Sequence, residues 1–498
     1  MDYFKSFEIK NKRPFRVLHI GNIANNAYVN AKIMRRRNIE ADVMSPDAYF
    51  VHTCPEWEEV DINEKTVLDT NFPDWSKVDL KGFRRPEWFF QGPRETCVDY
   101  FMLKNKYKFL FKINFIAKLI ISLFNISKYL NKILKSTSFG KFIYFVNIIL
   151  RCFILLFTNP ILLFKKIFFK FTGKPNTLEK EYTEAEQFDN YVKAFSKRKS
   201  WQYILQYYDI IQCYAEEGYW LYLSNHNNYV SYEHGTIREI PFKKTPQGKR
   251  CKLTYINAKT VFVTNIDCLK SAEILNINKS LVYPMPHAVD SSRYKDLRNK
   301  SRRKDYQTNS PIFIAPARHH WKNDDGDLSW VKGNDIIVKA AALSKSKNIK
   351  YKIKFVEWGK EVDLTKNLIE ELNVEEYFEW VNLMPRKKLL EEYIASTGVI
   401  DQFRMQAIGS TSVDALALGV PLLTNIDTKS FKNFFGSVSP ILNVNDPNSL
   451  HKKICFVIKN RKEMIELKAK SIKWFDKYHS SDKILEIHAE AFSKIIKV

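Results

Sequence analysis

The chain has 498 residues, more than one compact core accommodates, so two or three domains are expected; 45% hydrophobic and 27% charged residues exclude a disordered chain. Its seven cysteines are scattered, odd in number and never paired as C-x-x-C, which argues against a disulfide framework or a cysteine zinc site and fits a reducing cytoplasm. The net charge of +24 asks for a polyanionic partner, nucleic acid or anionic lipid. Met1 to Pro14 is polar and lacks the apolar stretch of a secretory signal. Phe15 to Ile20 reads as a strand, Gly21-Asn22 as a turn and Tyr28 to Arg37 as a helix; Glu40 to Met44 reads as a second strand. A nucleotide-binding α/β domain commonly begins this way, but the G-x-G-x-x-G fingerprint is absent and an ordinary βα turn is the competing reading.

From Phe101 to Thr172 the α/β rhythm stops. This stretch holds thirteen Lys or Arg and no Asp or Glu, leaving +11 for the remainder of the chain. Phe, Ile and Leu crowd between the lysines at helix-like spacing, the composition of an interfacial amphipathic segment, whereas nucleic-acid surfaces interleave aromatics with polar residues and glycine. Its apolar runs are broken by Arg151, Asn159-Pro160 and Lys165-Lys166 and fall short of the ~20 residues that span a bilayer. The stretch is therefore expected to lie in an anionic membrane surface or to dip into it around Pro160; a buried helical insert is the competing reading. Localisation is expected to be cytoplasmic, peripheral at the inner membrane face, with no nucleic-acid partner.

Strands resume at Asp209–Tyr214, Asn228–Tyr232, Thr260–Thr264 and Ser280–Tyr283. A proline-rich turn, Pro284 to Asp290, and a charged stretch to Asn309 read as an inter-domain linker. A second α/β unit begins at Pro311–Pro316, with strands near 351–356, 378–381, 399–401 and 420–424. The expected organisation is an N-terminal Rossmann-like domain over 1–290 carrying the basic hydrophobic insert 101–172, a linker over 291–309, a C-terminal Rossmann-like domain over 310–480, and a helix over 481–498 packing back on the N-terminal domain.

The most informative stretch runs from Gln402 to Pro421. A strand ends near Asp401, and Gly409-Ser410-Thr411-Ser412 opens a helix whose N-terminal N–H groups and dipole favour a phosphate. Asp414, one turn in, offers two acceptor oxygens suited to a ribose diol. Asp414-Ala415-Leu416-Ala417-Leu418-Gly419-Val420-Pro421 resembles the Glu-Ala-Met-Ala-x-Gly-x-Pro end of the E-x7-E region of retaining GT-B glycosyltransferases, glycosyltransferase family 4. That resemblance implies an α/β GT-B fold, two Rossmann-like domains facing across a cleft, with Asp414 on the nucleotide ribose. The first acidic position of the motif falls on Gln406, a departure that bears on donor-sugar binding.

Other pieces follow the family's order. Arg318 and Lys332-Gly333 resemble its Arg…Lys-Gly clamp on the donor diphosphate, with Lys322 a rival because His319 to Val331 lengthen the spacing. Glu233-His234-Gly235 resembles its His-Gly loop facing the donor sugar, and Pro286 to Asp290 its turn before the linker. Gly21 and Asn22 would lie on the acceptor or phosphate side, and Glu357 would line the base pocket or simply pack.

The implied reaction moves a sugar from a nucleoside-diphosphate donor to a hydroxyl, with retention, through front-face attack that hands the acceptor proton to the departing phosphate. His234, Arg318 and Lys332 would be the catalytic set, and Gly409 to Ser412, Asp414, Gln406 and Glu357 the donor-binding set. No Asp-x-Asp is placed to hold a metal, so neither metal nor cofactor is expected beyond the donor substrate. The insert points to a lipid-linked glycan acceptor of surface polysaccharide or lipopolysaccharide, and the Lys, Ile, Asn and Phe bias to a bacterial coding sequence. The alternatives are a GT-B epimerase or hydrolase, which would release sugar without acceptor, and a membrane-bound sugar-binding scaffold, which would leave Gln406 as a sign of lost chemistry.

Overall fold

Runs such as Arg16–Ile20 and Ile210–Tyr214 are apolar on both faces, the pattern of strands covered by helices on either side, and they lie at the centre of a parallel sheet. A computed structural model describes residues 3–46, 50–62, 69–107, 183–302, 310–322 and 331–498. The first sheet contains β1 (Arg16–Ile20), β2 (Glu40–Pro46), β3 (Phe89–Gly92), β4 (Ile210–Tyr214), β5 (Tyr229–Tyr232), β6 (Thr260–Val263) and β7 (Val282–Pro284), in the order β3-β2-β1-β4-β5-β6-β7. The second contains β8 (Ile312–Ala315), β9 (Lys352–Glu357), β10 (Phe378–Asn382), β11 (Gly398–Ile400), β12 (Leu422–Thr424) and β13 (Leu442–Asn443), in the order β10-β9-β8-β11-β12-β13. Every pairing is parallel.

Each sheet reverses its winding direction once, between β1 and β4 and between β8 and β11. Ligands of open α/β sheets bind outside the carboxyl ends of strands at such reversals. Gly21 follows β1, Arg318 lies just beyond β8, and Asp401-Gln402 follow β11, so the reversals bring together turns far apart in sequence.

Two strands carry no readable period in the sequence. β3 is four residues long and flanked by Pro86 and Pro93, and β13 has two residues, too few for either to show an alternation. Two boundaries also move. Phe101 to Lys106 complete the helix Arg94–Lys106, with Phe101 and Met102 buried, so the first residues of the basic stretch belong to the packed domain; its residues 108–172 lie outside the described residues. The stretch expected as linker contains the helix Arg293–Arg302, whose Tyr294 is fully buried.

One apolar core runs through both domains, from Val17 and Ile211 in the first sheet to Val399, Val413 and Leu416 in the second domain; a separate core with Phe313, Ile353, Phe355 and Ile400 fills the other side of the second sheet. The last helix, Ser481–Ile495, crosses back to the first domain. Phe492 stacks on Phe15 with centroids 5.8 Å apart, His488 Nε2 meets Gln212 Oε1 at 3.2 Å, and Asp482 pairs with Arg37. Among the described residues no helix is long and apolar enough to cross a membrane.

Phe492 and Phe15 are both buried, so removing one ring leaves a cavity that the flanking helix and strand cannot close. Phe492→Ala should lower unfolding free energy by about 3–5 kcal/mol, read as a shift of the urea midpoint at unchanged slope.

Candidate active site

On the N-terminal side the site is built from the end of β5. Glu233 is buried there, and its Oε1 accepts hydrogen bonds from the Thr264 N–H at 2.8 Å, the Asn265 N–H at 2.9 Å and Asn265 Nδ2 at 3.1 Å. Its Oε2 accepts the Gly235 N–H. One carboxylate thus ties the end of β5 to the end of β6 and bends the chain so that His234 projects at the corner. Gly235 takes φ +93° there, a conformation that suits glycine.

The His234 ring stacks on Tyr214 at 5.4 Å and leans on Tyr232 at 5.1 Å. Its Nδ1 lies 3.4 Å from Asn26 Nδ2, and its Nε2 has no hydrogen-bond partner among the described residues. Burial, helped by neighbouring His287, pushes the imidazole down to about 3. His234 is therefore neutral at pH 7, an orienting donor or acceptor rather than a charge. His287, in the turn that follows β7, lies with Nε2 3.2 Å from the Ile408 carbonyl, so that turn meets the second domain next to Gly409.

Gly21 and Asn22 serve the site indirectly. Asn22 is 1% exposed, and its Nδ2 donates to the Thr53 carbonyl at 2.8 Å and to Asn25 Oδ1 at 2.9 Å while its Oδ1 accepts the Tyr28 N–H at 3.0 Å. Every polar atom of that side chain is used in holding the 51–54 turn to β1. Gly21, at φ +90°, has room for no easy side chain, since a Cβ would stand 3.2 Å from Glu217 Cγ and Tyr214 Cβ.

On the C-terminal side, Lys332 is held at both ends. Its N–H donates to the His320 carbonyl at 2.6 Å, its carbonyl accepts from the Phe403 N–H at 2.8 Å, and its Nζ donates to Gln402 Oε1. Burial lowers the amine from its usual 10.5 to about 8; Asp401 opposes this, and the Arg318 and Arg238 guanidiniums add to it. Arg318 also makes itself felt at His52 and at His320. Arg318 and Lys332, the two cations of the expected clamp, therefore lie within electrostatic reach of each other. Lys322, the rival, is exposed, and its backbone N–H is taken up by Glu361 Oε2 at 2.8 Å.

Gly409 caps the helix Ser410–Leu418 without any side-chain cap, and a Cβ built on it would meet nothing within 4 Å. Ser410 is exposed and Thr411 half-buried, but Ser412 Oγ turns inward to Asp401 Oδ2 at 2.5 Å, so Ser412 offers the cleft no hydroxyl. The first-turn N–H groups remain the anion-binding element.

Asp414 is engaged on one of its two oxygens. It is 2% exposed, and its Oδ1 accepts from Arg386 Nη2 at 2.7 Å and from the Tyr294 hydroxyl. Arg386 also reaches Glu58 of the first domain at 3.8 Å, and Arg293 pairs with the same carboxylate. Both partners bond Oδ1, so a diol would have to be taken by Oδ2. Gln406 is exposed, and Glu357, at the end of β9, is paired with Lys366 at 2.6 Å, away from any described partner in the cation cluster. Among the described residues no group of three His, Cys, Asp or Glu side chains could hold a metal ion.

Residues 326–474 match the sequence family described as glycosyl transferases group 1. The chain has the GT-B fold, and its second domain carries a glycosyl transferases group 1 region. The crystal structure of TarM superposes on this GT-B fold with a TM-score of 0.52, over 96% of this chain and 98% of that one, at 11% identity. A glycosyltransferase from Rickettsia africae ESF-5 gives 0.49 over 97% and 99% at 12% identity. A point mutant of S. aureus TarM in complex with fondaparinux, alpha-GlcNAc-glycerol and UDP gives 0.41 at 15% identity, over 57% of this chain and 55% of that one. A sequence comparison with curated proteins returns no match.

The depressed Lys332 amine carries a stability signature for this GT-B enzyme. Its folded pKa lies below its unfolded one, so between pH 8 and 10.5 the unfolded chain holds more protons and stability rises with pH. Lys332→Met should flatten that part of the pH profile and raise the ligand-free Tm by about 2–4 °C, while abolishing stabilisation by nucleotides; thermal denaturation of both proteins from about pH 7 to 10 reads all three.

Proposed function

We propose that the enzyme transfers a sugar from a nucleoside-diphosphate donor to a hydroxyl of a lipid-linked glycan at a membrane surface, with retention of anomeric configuration. The observation that carries the donor half is the Lys332 amine held on Gln402, whose own amide donates to the Ala407 carbonyl just before the uncapped helix start at Gly409, with Arg318 close enough to add to the lowering of that amine. Fixed cations and aligned N–H groups stabilise a leaving group that gains negative charge, and they do so best where water is displaced. In the proposed step the bond from the anomeric carbon to the diphosphate oxygen breaks with its electron pair going to that oxygen. The acceptor oxygen bonds to the same face, and its proton passes to the departing phosphate. His234 Nε2 would hold a donor-sugar hydroxyl, a role that needs no charge.

The acceptor half rests on the composition of residues 101–172, with thirteen cations, no carboxylates and abundant Phe, Ile and Leu. Anionic headgroups attract such a segment and its apolar residues enter the interface.

Thermal stabilisation by a panel of UDP-, GDP-, ADP- and dTDP-sugars tests the donor. A ligand at 100 times its Kd should add about 2.7 kcal/mol, for one base and not the others. Absence of stabilisation by every member would sink the transferase reading and favour a sugar-binding scaffold without nucleotide chemistry. For the acceptor, deletion of 108–172, which spares the buried Phe101 and Met102, should move the protein from the membrane to the soluble fraction with its nucleotide binding intact. An unchanged distribution would remove the case for a lipid-linked acceptor.

A further inference from the structure

No motif singles out Arg238, yet it stands at the centre of the site. It closes the short turn Thr236–Arg238 immediately after His234-Gly235, and its chain doubles back so that Nη1 lies over Gly235; a Cβ on that glycine would stand 2.8 Å from it. Nε and Nη2 are committed to the two oxygens of Asp267, the latter at 3.2 Å, and the Ser271 hydroxyl donates to the Arg238 carbonyl at 3.3 Å. Nη1 has no hydrogen-bond partner among the described residues. The guanidinium is thus held in a fixed plane by one edge while its remaining amine is presented beside the His-Gly corner; Tyr232, two residues before that histidine, donates its hydroxyl to the Pro286 carbonyl at 3.3 Å, and the next residue of that turn, His287, meets the Ile408 carbonyl beside the helix start at Gly409.

We propose that Arg238 is a third phosphate ligand, supplied to the donor diphosphate from the domain opposite Arg318 and Lys332. The inference rests on the nucleoside-diphosphate reading above. Three cations from two domains that sense one another across a cleft repel unless an anion lies between them. Burial is the main cause of the lowered Lys332 amine, and Arg318 and then Arg238 add to it. Asp267 holds the far edge of Arg238 and the buried Glu233 carboxylate also favours its charge, while Asp401 is buried behind Lys332 with its carboxylate bonded to Ser412. A diphosphate brings at least two negative charges to that place. It would be gripped from both domains at once, and Arg238 would share in stabilising the oxygen that receives the electron pair when the glycosidic bond breaks. Arginine suits this use because Asp267 can orient the fork without consuming all its donors.

Isothermal titration of the full-length chain with UDP, GDP and ADP, and with uridine, guanosine and adenosine, in the absence of any acceptor, tests the assignment. For the diphosphate that binds wild type, Arg238→Gln should weaken affinity by about 10–100-fold, leave the matching nucleoside unchanged and lower the salt dependence. Arg238→Lys should fall between. Asp267→Asn separates a ligand from a brace: it should retain most diphosphate affinity if Arg238 meets the phosphate, and match Arg238→Gln if Arg238 only stiffens the loop, which would overturn the proposal. Unchanged diphosphate affinity in Arg238→Gln would also overturn it, including the case where Arg238 instead meets a phosphate on the acceptor. If wild type binds none of the diphosphates, the donor reading itself fails, a result distinct from either.

Discussion

Two buried carboxylates, Glu58 and Asp414, share the guanidiniums of Arg293 and Arg386 at the seam between the domains, and the placement of everything in the cleft depends on that cluster. Glu58 belongs to the first domain, Arg386 and Asp414 to the second, and Arg293 to the helix between them. Burial alone would raise the Glu58 carboxyl, but Arg293 and Arg386 hold it below the usual carboxylate range, so the pair is charged. Such a cluster adds little net stability over an apolar seam of the same shape, because each ion is desolvated to form it. Removing one member, however, leaves an uncompensated charge, so alternative seatings of the domains are strongly disfavoured. Asp414 lies one turn inside the helix Ser410–Leu418; anchoring it fixes the direction in which the N–H groups at Gly409 point.

The chemistry of the cleft follows from how each polar group is buried. His234 is enclosed by Tyr214 and Tyr232, neutral aromatic faces that offer a proton no compensation, and it stays uncharged. Lys332 is enclosed as well, but Gln402 accepts from its amine and Asp401 lies behind it, so its value stops at about 8 and the charge survives at neutral pH. The same desolvation thus produces a neutral orienting group on one wall and cations on the other. This division suits a displacement whose charge develops on the leaving phosphate and not on the sugar-facing side.

Much of this was legible in the sequence because it resides in local pattern. Apolar runs of five or six residues marked most strands, and the order of Gly21, His234, Arg318, Lys332 and the Gly409–Pro421 stretch pointed to the two-domain fold. What escaped was whatever depends on which side chain a residue meets across the fold. Asn22 reads as a polar turn residue beside a strand end, but three hydrogen bonds to segments up to 31 positions away consume it. Asp414 reads as an acceptor for a diol, but its partners Arg386 and Tyr294 lie 28 and 120 positions upstream. Arg238 stood inside a stretch already noted for its histidine, and only the meeting with Asp267, 29 positions on, shows that its guanidinium is aimed.

The cations of the cleft also explain why the site need not be stable for its own sake. A lysine whose amine falls from 10.5 to about 8 in the fold is a group the folded state accommodates reluctantly, and two nearby guanidiniums make it more so. The surrounding scaffold tolerates this because the apolar core is continuous through both domains and the last helix, Ser481–Ile495, binds the second domain's end to the first domain's sheet. Strain of this electrostatic kind is relieved when the lysine loses its proton as pH rises, and on the proposed function a bound anion would relieve it in exchange for affinity. The closer the two walls stand, the larger that exchange becomes, which links the seating of the domains at Glu58 and Asp414 to the charge on the ligand they enclose.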